Sequence, residues 1–266
     1  MYKDGFKPKL SIIVPTLNQA NLTVRCMQSI RTYTTIPYEI IWVDNGSRPE
    51  QKRVVKAQAT KPRVHTKLVA FPTNTGFVRA INSGLKEVEG EYVVFLNNDT
   101  EVGYKWDQKL LKPLIEDPYV GAVGPVTQSR IAWQESTALN KRFKLKLPVF
   151  SSNVDKYSKE GDRLYSGKYI DVGKIPLAFF CAALRKSTID LIGGLDDALN
   201  PGFGDDDEYC WRLRANKFKI YLSVGTFVYH HHRTTFKAIN ANIDAFRRRN
   251  IKFIRQKQKT YVPVVQ

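Results

Sequence analysis

The sequence has few cysteines and no long hydrophobic run. Its cysteines, Cys26, Cys181 and Cys210, are far apart and include no C-x-x-C pair, which argues against both a disulfide framework and a thiolate metal site. No stretch approaches the roughly 18 consecutive apolar residues of a membrane-spanning helix. Met1–Leu10 is too polar for a signal peptide. We therefore expect a cytoplasmic protein whose cysteines are buried free thiols.

Common motifs for phosphate and zinc are also missing. The chain has no G-x-G-x-x-G after its first apolar run and no G-x-x-x-x-G-K-[ST], which disfavours a dinucleotide dehydrogenase and a P-loop enzyme. No H-E-x-x-H segment occurs, so a zinc hydrolase of that type has no support.

Acidic residues are too few to balance the basic ones. Lysine and arginine number 42 against 25 aspartate and glutamate residues, which gives a formal net charge of +17. Such a surface attracts an anionic partner, which could be nucleic acid, anionic lipid or a phosphorylated small molecule. Part of the excess lies in Ala245–Gln266, which has no acidic residue and these basic ones: Arg247, Arg248, Arg249, Lys252, Arg255, Lys257 and Lys259.

Strands and helices alternate through the first half of the chain. The apolar runs Leu10–Pro15, Tyr38–Val43, Lys67–Phe71 and Tyr92–Leu96 predict buried strands. Apolar residues recur at helical spacing between them, and we expect Asn21 to cap the first of these helices. The alternation predicts right-handed βαβ crossovers and an α/β fold with a mostly parallel sheet. In such sheets ligands bind beyond the carboxyl ends of the strands.

The second half of the chain is less regular. A helix is expected near Trp106–Ile115 and a strand at Val120–Val126, followed by an irregular stretch at Ser129–Lys168. The elements predicted after it are the apolar segment Ile175–Leu184, a short helix from Ser187, a helix at Asp206–Asn216, strands at Phe218–Val224 and Phe227–His230, and a basic helix at Ala238–Gln258. We expect residues 1–236 to form one domain and residues 237–266 a basic C-terminal helix and tail.

Polar residues follow two of the predicted strands. Asp44 begins an Asp-Asn-Gly-Ser turn, in which it could be a simple turn residue or could bind a ligand. Asn97, Asn98 and Asp99 follow another strand. Their amide and carboxylate oxygens are hard ligands suited to Mg²⁺ or Mn²⁺, with Asp99 as the natural ligand, although a polar turn explains them equally well.

An acidic run and a histidine run complete the candidate set. Adjacent carboxylates such as those of Asp205–Glu208 raise one another's pKa, so the run is a candidate for a general base, while Arg212 could neutralise Glu208 as a helix-surface pair. His230–His232 follow an apolar strand, and an imidazole there could complete a metal site. The alternative is a solvated histidine run.

The order of these segments resembles the family 2 inverting glycosyltransferases of GT-A fold, of the bacterial cell-surface polysaccharide type. Ser11–Asn18 resembles the family's opening strand, and Val43–Ser47 the segment whose aspartate holds the nucleotide base. Phe95–Asp99 stands in the place of the D-x-D metal motif, with Asn97 instead of its first aspartate. Two further matches are Asn74–Phe77 with Ala80 and Asn82, beside the nucleotide, and Phe203–Arg212, the acidic pair followed by a helix.

This resemblance implies a Rossmann-like, mostly parallel sheet flanked by helices, with an elaborated second half on the acceptor side. It implies that Asp206 is the catalytic base, with Asp205 before it. Asp99 and His230 would hold Mn²⁺ or Mg²⁺, although either of the next two histidines, His231 or His232, could take the place of His230. The residues implied to bind the nucleotide-sugar are Pro15, Thr16, Asn18, Asp44, Asn74, Gly76, Arg79, Asn82, Asn97 and Asn98.

The implied reaction moves a sugar from a UDP- or dTDP-sugar to a hydroxyl of a glycan or lipid-linked acceptor in one displacement. A protein of another class would also fit the charge: a basic binder of anionic membrane or nucleic acid without catalysis. The tail could equally dock a transferase at the inner face of the cell membrane, in which case no nucleic acid is expected as a partner. A sugar nucleotidyltransferase would need a Gly-rich basic loop, which Pro15–Gln19 does not offer.

Overall fold

The chain forms a layered α/β structure around one sheet. The computed structural model describes residues 9–59, 65–128, 133–148, 153–231 and 243–265. Within these ranges nine strands form a mixed sheet flanked by helices, with an apolar cluster on each face. Successive residues of a strand point to opposite faces, so Ile13 lies in one cluster while Ile12 and Val14 lie in the other. The predicted α/β class is confirmed.

The first half of the chain contributes four strands and three helices: β1 (Leu10–Thr16), α1 (Ala20–Tyr33), β2 (Tyr38–Asn45), α2 (Pro49–Ala59), β3 (His65–Phe71), α3 (Phe77–Leu85) and β4 (Tyr92–Leu96). The strands lie in the order β3-β2-β1-β4 and all pair in parallel, as the alternation predicts. The prediction that Asn21 caps α1 is wrong. The N-cap is Gln19, in the left-handed conformation, and the N–H of Ala20 donates to Oε1 of Gln51 at 3.0 Å.

The second half adds, in the part that the structure describes, β5 (Thr100–Val102), α4 (Trp106–Glu116), β6 (Val120–Val126), α5 (Ser136–Phe143), α6 (Val154–Tyr165), β7 (Tyr169–Asp171), β8 (Cys181–Arg185), α7 (Lys186–Ile192), α8 (Asp205–Ala215), β9 (Lys219–His230) and α9 (Ile243–Thr260). Strand β8 lies between β4 and β6 and is antiparallel to both. Strand β9 pairs in parallel with β6, while β5 and β7 pair antiparallel with β9. The longest pairings of the sheet are therefore the parallel ones.

The prediction of an irregular stretch at Ser129–Lys168 is wrong, because it contains α5 and α6. Both helices are short and polar, and they bury few apolar side chains, among them Leu139 and Tyr157. Polar caps fix where they begin. Glu135 accepts from two backbone N–H groups of α5, and Asn153 accepts from one of α6. Apolar spacing is a weak signal in such helices.

Three other boundaries differ from the prediction. The strands expected at Phe218–Val224 and Phe227–His230 are one strand, β9, whose register against β6 is interrupted between them. The apolar segment Ile175–Leu184 is a strand only from Cys181 onward. The expected domain boundary after residue 236, like the start of the C-terminal helix at residue 238, lies outside the described residues. Among the described helices, none combines the length and hydropathy that a bilayer span requires.

Candidate active site

Asp44 lies at the carboxyl end of β2 and is almost completely buried. Its Oδ2 lies 2.9 Å from Nζ of Lys52 in α2, and its Oδ1 accepts from the backbone N–H of Ser47 at 3.2 Å. The carboxylate therefore stabilises a turn and is ion-paired as well. Both contacts hold it at the edge of the sheet where ligands of parallel sheets bind.

The end of β1 is joined to the same turn. Asn18, in the left-handed conformation, donates its backbone N–H to Oγ of Ser47 at 2.8 Å, and its Oδ1 accepts from the backbone N–H of Arg48 at 2.9 Å. Pro15 and Thr16 end β1 beside the end of β2. The buried hydroxyl of Thr16 has no hydrogen-bond partner within the described ranges, so a ligand here would satisfy it.

Asn45, which the sequence analysis did not single out, organises the neighbouring loop. Its Nδ2 donates to Oδ1 of Asn74 at 3.0 Å and to the carbonyl of Gly76 at 3.1 Å. Its Oδ1 accepts from both the N–H and the hydroxyl of Thr75, each at 2.8 Å. The Asn-Gly pair in the sequence indicates a turn. It gives no sign that the side-chain amide of Asn45 binds a loop distant along the chain. This amide places Asn74 and Gly76 beside the end of β2.

The same loop contacts the segment that precedes α8. Nδ2 of Asn200 donates to the carbonyl of Thr75 at 2.8 Å, and the N–H of Phe77 donates to the carbonyl of Pro201 at 2.9 Å. Gly76 has a φ of 91°, and a Cβ there would lie 2.1 Å from Oδ1 of Asn200. Only glycine fits this close approach. The implied nucleotide segment and the acidic segment are therefore neighbours in the structure.

Two other expected nucleotide residues lie on α3. Arg79 is exposed. Asn82 uses its amide to join α3 to the turn after α7: Nδ2 donates to the carbonyl of Leu195 at 2.8 Å and to Oδ1 of Asp197 at 2.9 Å, while Oδ1 accepts from the N–H of Leu195 at 2.9 Å. These contacts give Asn82 a bridging role within the fold.

Asp99 and His230 meet where β4 and β9 end. In the antiparallel pair β5–β9, Thr100 is opposite His230, which brings Nε2 of His230 to 3.2 Å from Oδ1 of Asp99. Both residues are buried, with exposed fractions of 6% for Asp99 and 8% for His230. The ring of Phe180 stacks on His230 at 5.0 Å between centroids. The structure thus joins the two residues implied as metal ligands.

The neighbouring histidine faces a different carboxylate. Nε2 of His231 lies 2.7 Å from Oε1 of Glu101, and this hydrogen bond holds the pKa of Glu101 below its usual value. Only the backbone N–H of His231 reaches Asp99, donating to its carbonyl at 2.8 Å. His232 lies outside the described residues. Strand alternation therefore favours His230 over His231 as the partner of Asp99.

The two asparagines before Asp99 have separate surroundings. Asn98 is buried and donates through Nδ2 to Oγ1 of Thr23 in α1 at 2.9 Å. Asn97 is partly exposed, and its backbone N–H donates to the carbonyl of Phe180 at 2.9 Å. In the described ranges no group of three or more His, Cys, Asp or Glu side chains converges on one point. One carboxylate and one imidazole still fit Mn²⁺ or Mg²⁺, because such ions commonly take their other ligands from water and substrate phosphates.

The first turn of α8 carries the second carboxylate cluster. Asp205 is buried, which raises its pKa to about 6. Burial and the charges of Asp205 and Asp207 raise the pKa of Asp206 well above the usual value of 3.8. Oδ1 of Asp206 accepts from the backbone N–H of Asp207 at 2.9 Å. A carboxylate with a raised pKa is a stronger proton acceptor, as a general base requires.

Glu208 is not the helix-surface residue that the sequence predicts. Its carboxylate is fully buried, and it accepts from Nε and Nη2 of Arg212 at 2.9 and 2.8 Å. Nζ of Lys257 in α9 lies 2.8 Å from its Oε1. The pair with Arg212 exists, but it belongs to a buried network that spans two helices. Because Glu208 makes three short contacts with cations, its role is to hold α8 in place.

Two consecutive phenylalanines contact α8 and the Asp99–His230 pair. Phe180 stacks on His230, and Phe179 packs against Tyr209 of α8, with 5.8 Å between ring centroids. Tyr209 lies one helical turn after Asp205. In the sequence these phenylalanines are predicted only as part of the apolar segment Ile175–Leu184. Phe179 and Phe180 belong to the apolar clusters on opposite faces of the sheet, so α8 and the Asp99–His230 pair contact adjacent residues of the chain from these two faces.

The sequence is similar to a known family and to curated bacterial proteins. The family model described as "Glycosyl transferase family 2" matches residues 11–187. The chain is 26% identical over 235 residues to O-antigen biosynthesis protein RfbC of Myxococcus xanthus, covering 87% of this chain and 18% of that protein. It is 26% identical over 230 residues to the pre-mycofactocin glycosyltransferase of Mycobacterium tuberculosis, covering 86% and 44%. The chain thus spans less than half the length of these curated relatives.

Two solved structures share the fold. A mannosyltransferase, PcManGT from Pyrobaculum calidifontis, in complex with GDP-Man and Mn²⁺, has a TM-score of 0.62 at 16% identity, covering 98% of this chain and 78% of that one. GalNAc-T7 with UDP, GalNAc and Mn²⁺ has a TM-score of 0.61 at 15% identity, covering 86% and 44%. At these identities the likeness concerns the fold alone.

Proposed function

The chain belongs to glycosyl transferase family 2, and we propose that it transfers a sugar from a UDP- or dTDP-sugar to a hydroxyl of a glycan or lipid-linked acceptor, with inversion. The observation that carries this proposal is the presence of two separate carboxylate sites on elements that contact the consecutive residues Phe179 and Phe180. One is Asp99 with His230, and the other is Asp206 with its raised pKa. An inverting transferase needs one site for the diphosphate and one carboxylate free to take a proton.

The nucleotide of the donor is proposed to bind across the ends of β1 and β2. The buried carboxylate of Asp44 and the unsatisfied hydroxyl of Thr16 are polar groups at this edge. Asn18 links the ends of the two strands through its hydrogen bond to Ser47. Arg79, exposed near the start of α3, offers a cation to a diphosphate. Because the structures of similar fold contain UDP or GDP-mannose, the base is best tested across UDP, dTDP and GDP.

Asp99 and His230 would hold Mn²⁺ or Mg²⁺ beside the diphosphate. When bound, such an ion neutralises negative charge on the departing diphosphate. The protein's own contribution is to keep both ligands fixed before substrate arrives. The stacked ring of Phe180 and the β5–β9 pairing provide that fixation.

Asp206 is proposed to act as the general base. Its carboxylate accepts the proton of the acceptor hydroxyl, and the oxygen attacks the anomeric carbon from the face opposite the leaving group. The bond from that carbon to the diphosphate oxygen breaks, and the electron pair leaves with the nucleoside diphosphate. Because attack and departure are on opposite faces, the anomeric configuration inverts. Proton transfer to such a base contributes roughly 10² to 10⁴ in rate.

A pair of measurements tests this function. Thermal shift with UDP, dTDP and GDP, with and without Mn²⁺, should show metal-dependent stabilisation by at least one of them. Asp206→Asn should keep that binding but lose turnover of the matching nucleotide-sugar by about 10² or more. Asp207→Asn removes the same charge from the same turn and should keep turnover at pH 8. Failure of every nucleotide to bind would overturn the proposal, and full turnover by Asp206→Asn would remove Asp206 from its role.

We also propose that the enzyme docks on an anionic membrane. The outer face of α9 presents the exposed cations Arg248, Lys252, Arg255 and Lys259 around Ile251, which is itself 49% exposed. Each cation near an anionic leaflet contributes about 1 kcal/mol. The protein should sediment with vesicles containing phosphatidylserine but not with pure phosphatidylcholine, and Lys252→Ala with Arg255→Ala should weaken this. Binding without nucleotide affinity would favour the non-catalytic alternative.

A further inference from the structure

The inner face of α9 buries an asparagine against the segment that precedes α8. Asn250 is only 1% exposed. Its Nδ2 donates to the carbonyls of Gly202 at 2.9 Å and Phe203 at 2.8 Å, and more weakly to that of Leu199 at 3.3 Å. A polar side chain is costly to bury unless it is hydrogen-bonded, and the three carbonyls supply the hydrogen bonds that the buried amide needs.

Arg249 extends the same contact. Its Nη2 donates to the carbonyl of Asn200 at 2.6 Å and lies 3.5 Å from that of Ala198. Its Nε donates to Oδ1 of Asn250 at 2.9 Å, which fixes the amide so that Nδ2 faces the segment. Together, the two linked side chains donate hydrogen bonds to five backbone carbonyls.

The remaining carbonyl in this segment is held from the opposite side. The N–H of Phe77, at the start of α3, donates to the carbonyl of Pro201 at 2.9 Å. Every carbonyl from Ala198 to Phe203 thus accepts a hydrogen bond, although the segment belongs to no strand or helix of its own beyond a 3-10 turn. Its shape is set by α9 on one side and by the implied nucleotide loop on the other.

This segment ends at the first turn of α8. Gly204 has a φ of 101°, and a Cβ there would lie 3.4 Å from Ile254 and 3.8 Å from Asn250. One turn further along α9, Nζ of Lys257 contacts Glu208 of α8 at 2.8 Å and Asp196 at 2.5 Å. Successive turns of α9 therefore contact the residues on both sides of Asp205 and Asp206.

We propose that Asn250, oriented by Arg249, is a positioning residue that sets the place of Asp206 through the carbonyls of residues 198–203. The amide of Asn250 contacts carbonyls of the segment and so acts on Asp206 only through the backbone. The inference rests on the proposed role of Asp206, and it makes α9 part of the catalytic unit as well as a basic surface. A positioning residue here acts on the chemical step more than on donor binding, because the implied nucleotide loop is held independently by the side chain of Asn45.

Two exposed arginines provide a matched pair of variants. Arg249→Met removes the contacts to the segment, whereas Arg163→Met removes the same charge from an exposed position on α6. Asn250→Leu is the stronger change, since it leaves buried carbonyls without their donor. Arg249 is exposed, so Arg249→Met keeps the test valid if Asn250→Leu does not fold. Arg249→Lys keeps one donor and should give an intermediate result.

The experiment measures kcat and KM with a water-soluble acceptor, nucleotide affinity by calorimetry, and hydrogen exchange of residues 198–207. We expect Asn250→Leu to lower kcat by about tenfold to a hundredfold, with donor KM and nucleotide Kd changed less than about threefold. Arg249→Met should lower kcat by at least about threefold and speed exchange in the segment, while Arg163→Met does neither. Faster exchange with unchanged kcat overturns the inference. Loss of nucleotide binding together with kcat indicates general disruption and also overturns it. A wild type that transfers no sugar would instead overturn the proposed function.

Discussion

Nε2 of His230 lies 3.2 Å from Oδ1 of Asp99, although the two residues are far apart in the chain. The contact follows from strand register, since Thr100 is opposite His230 in the β5–β9 pair. A shift of one residue in that register would turn His231 toward Asp99 and His230 away. The register of the β5–β9 pair therefore decides which histidine lies in the candidate metal site.

Replacing either member of this pair should remove the effect of metal on nucleotide binding. We expect His230→Asn and Asp99→Asn to weaken the Mn²⁺-dependent part of the affinity for nucleoside diphosphate by at least about tenfold. His231→Asn is the control, because its ring contacts Glu101. Calorimetry at several Mn²⁺ concentrations measures the effect. A greater loss with His231→Asn than with His230→Asn would contradict the assignment.

The acid limb of the pH–rate profile should report the carboxylates of α8. Asp206 must be ionised to accept a proton, and its pKa is raised by burial and by the charges of Asp205 and Asp207. Activity is therefore expected to fall as pH falls through this raised pKa. Asp207→Asn removes one of the charges, so the limb should move to lower pH. An unmoved limb would show that another group controls it. Burial raises the pKa of Asp207 itself, while Arg247 and Arg214 oppose this shift, and both arginines stay in place in this variant.

Asp205 should reduce stability at neutral pH. Burial raises its pKa from 3.8 to about 6, which corresponds to about 3 kcal/mol against the ionised form. A pKa raised in the folded state gives stability that is present below about pH 4 and lost as pH rises through about 6. Asp205→Asn should therefore raise Tm at pH 7.5 but not at pH 3.5. The exposed Asp190→Asn serves as the control, and equal Tm changes in the two variants would refute this prediction.

The buried ion pairs of Glu208 should be costly to break. Glu208→Gln leaves Arg212 and Lys257 without their shared carboxylate, and we expect a loss of roughly 3–5 kcal/mol in the free energy of unfolding. Lys186 and Asp190 have the same i,i+4 spacing at the surface, so Asp190→Asn should cost no more than about 0.5 kcal/mol. Urea denaturation compares the two. Similar losses would show that burial does not set the difference.

Gly76 should tolerate no side chain. Gly76→Ala places a Cβ 2.1 Å from Asn200 in a backbone with a φ of 91°, so it should reduce both stability and nucleotide affinity. Gly167 has a φ of 71° with nothing within 4 Å of its Cβ position, so Gly167→Ala introduces backbone strain alone. Thermal unfolding and nucleotide titration separate the two effects. If Gly167→Ala weakens nucleotide binding as much, the close contact with Asn200 is not the cause.

The parallel half of the fold could be predicted because its signals are local. Leu10–Thr16 and Tyr92–Leu96 are apolar runs that suit strands covered on both faces, and the residues at their ends fall at the ligand edge. Helices α5 and α6 escaped prediction because polar caps at Glu135 and Asn153, and few buried side chains, fix them. The expected surface pair of Glu208 became a buried network because α9 covers it, which helical spacing cannot foresee.

The sequence by itself determined which segments become strands and where carboxylates, amides and imidazoles stand relative to strand ends, because burial and spacing act between residues close in the chain. Only the tertiary structure decided that His230 faces Asp99, that Asn45 holds the loop at Asn74, and that Asn250 holds the segment before α8. These contacts join distant segments, and they depend on strand register and helix packing that no local pattern encodes.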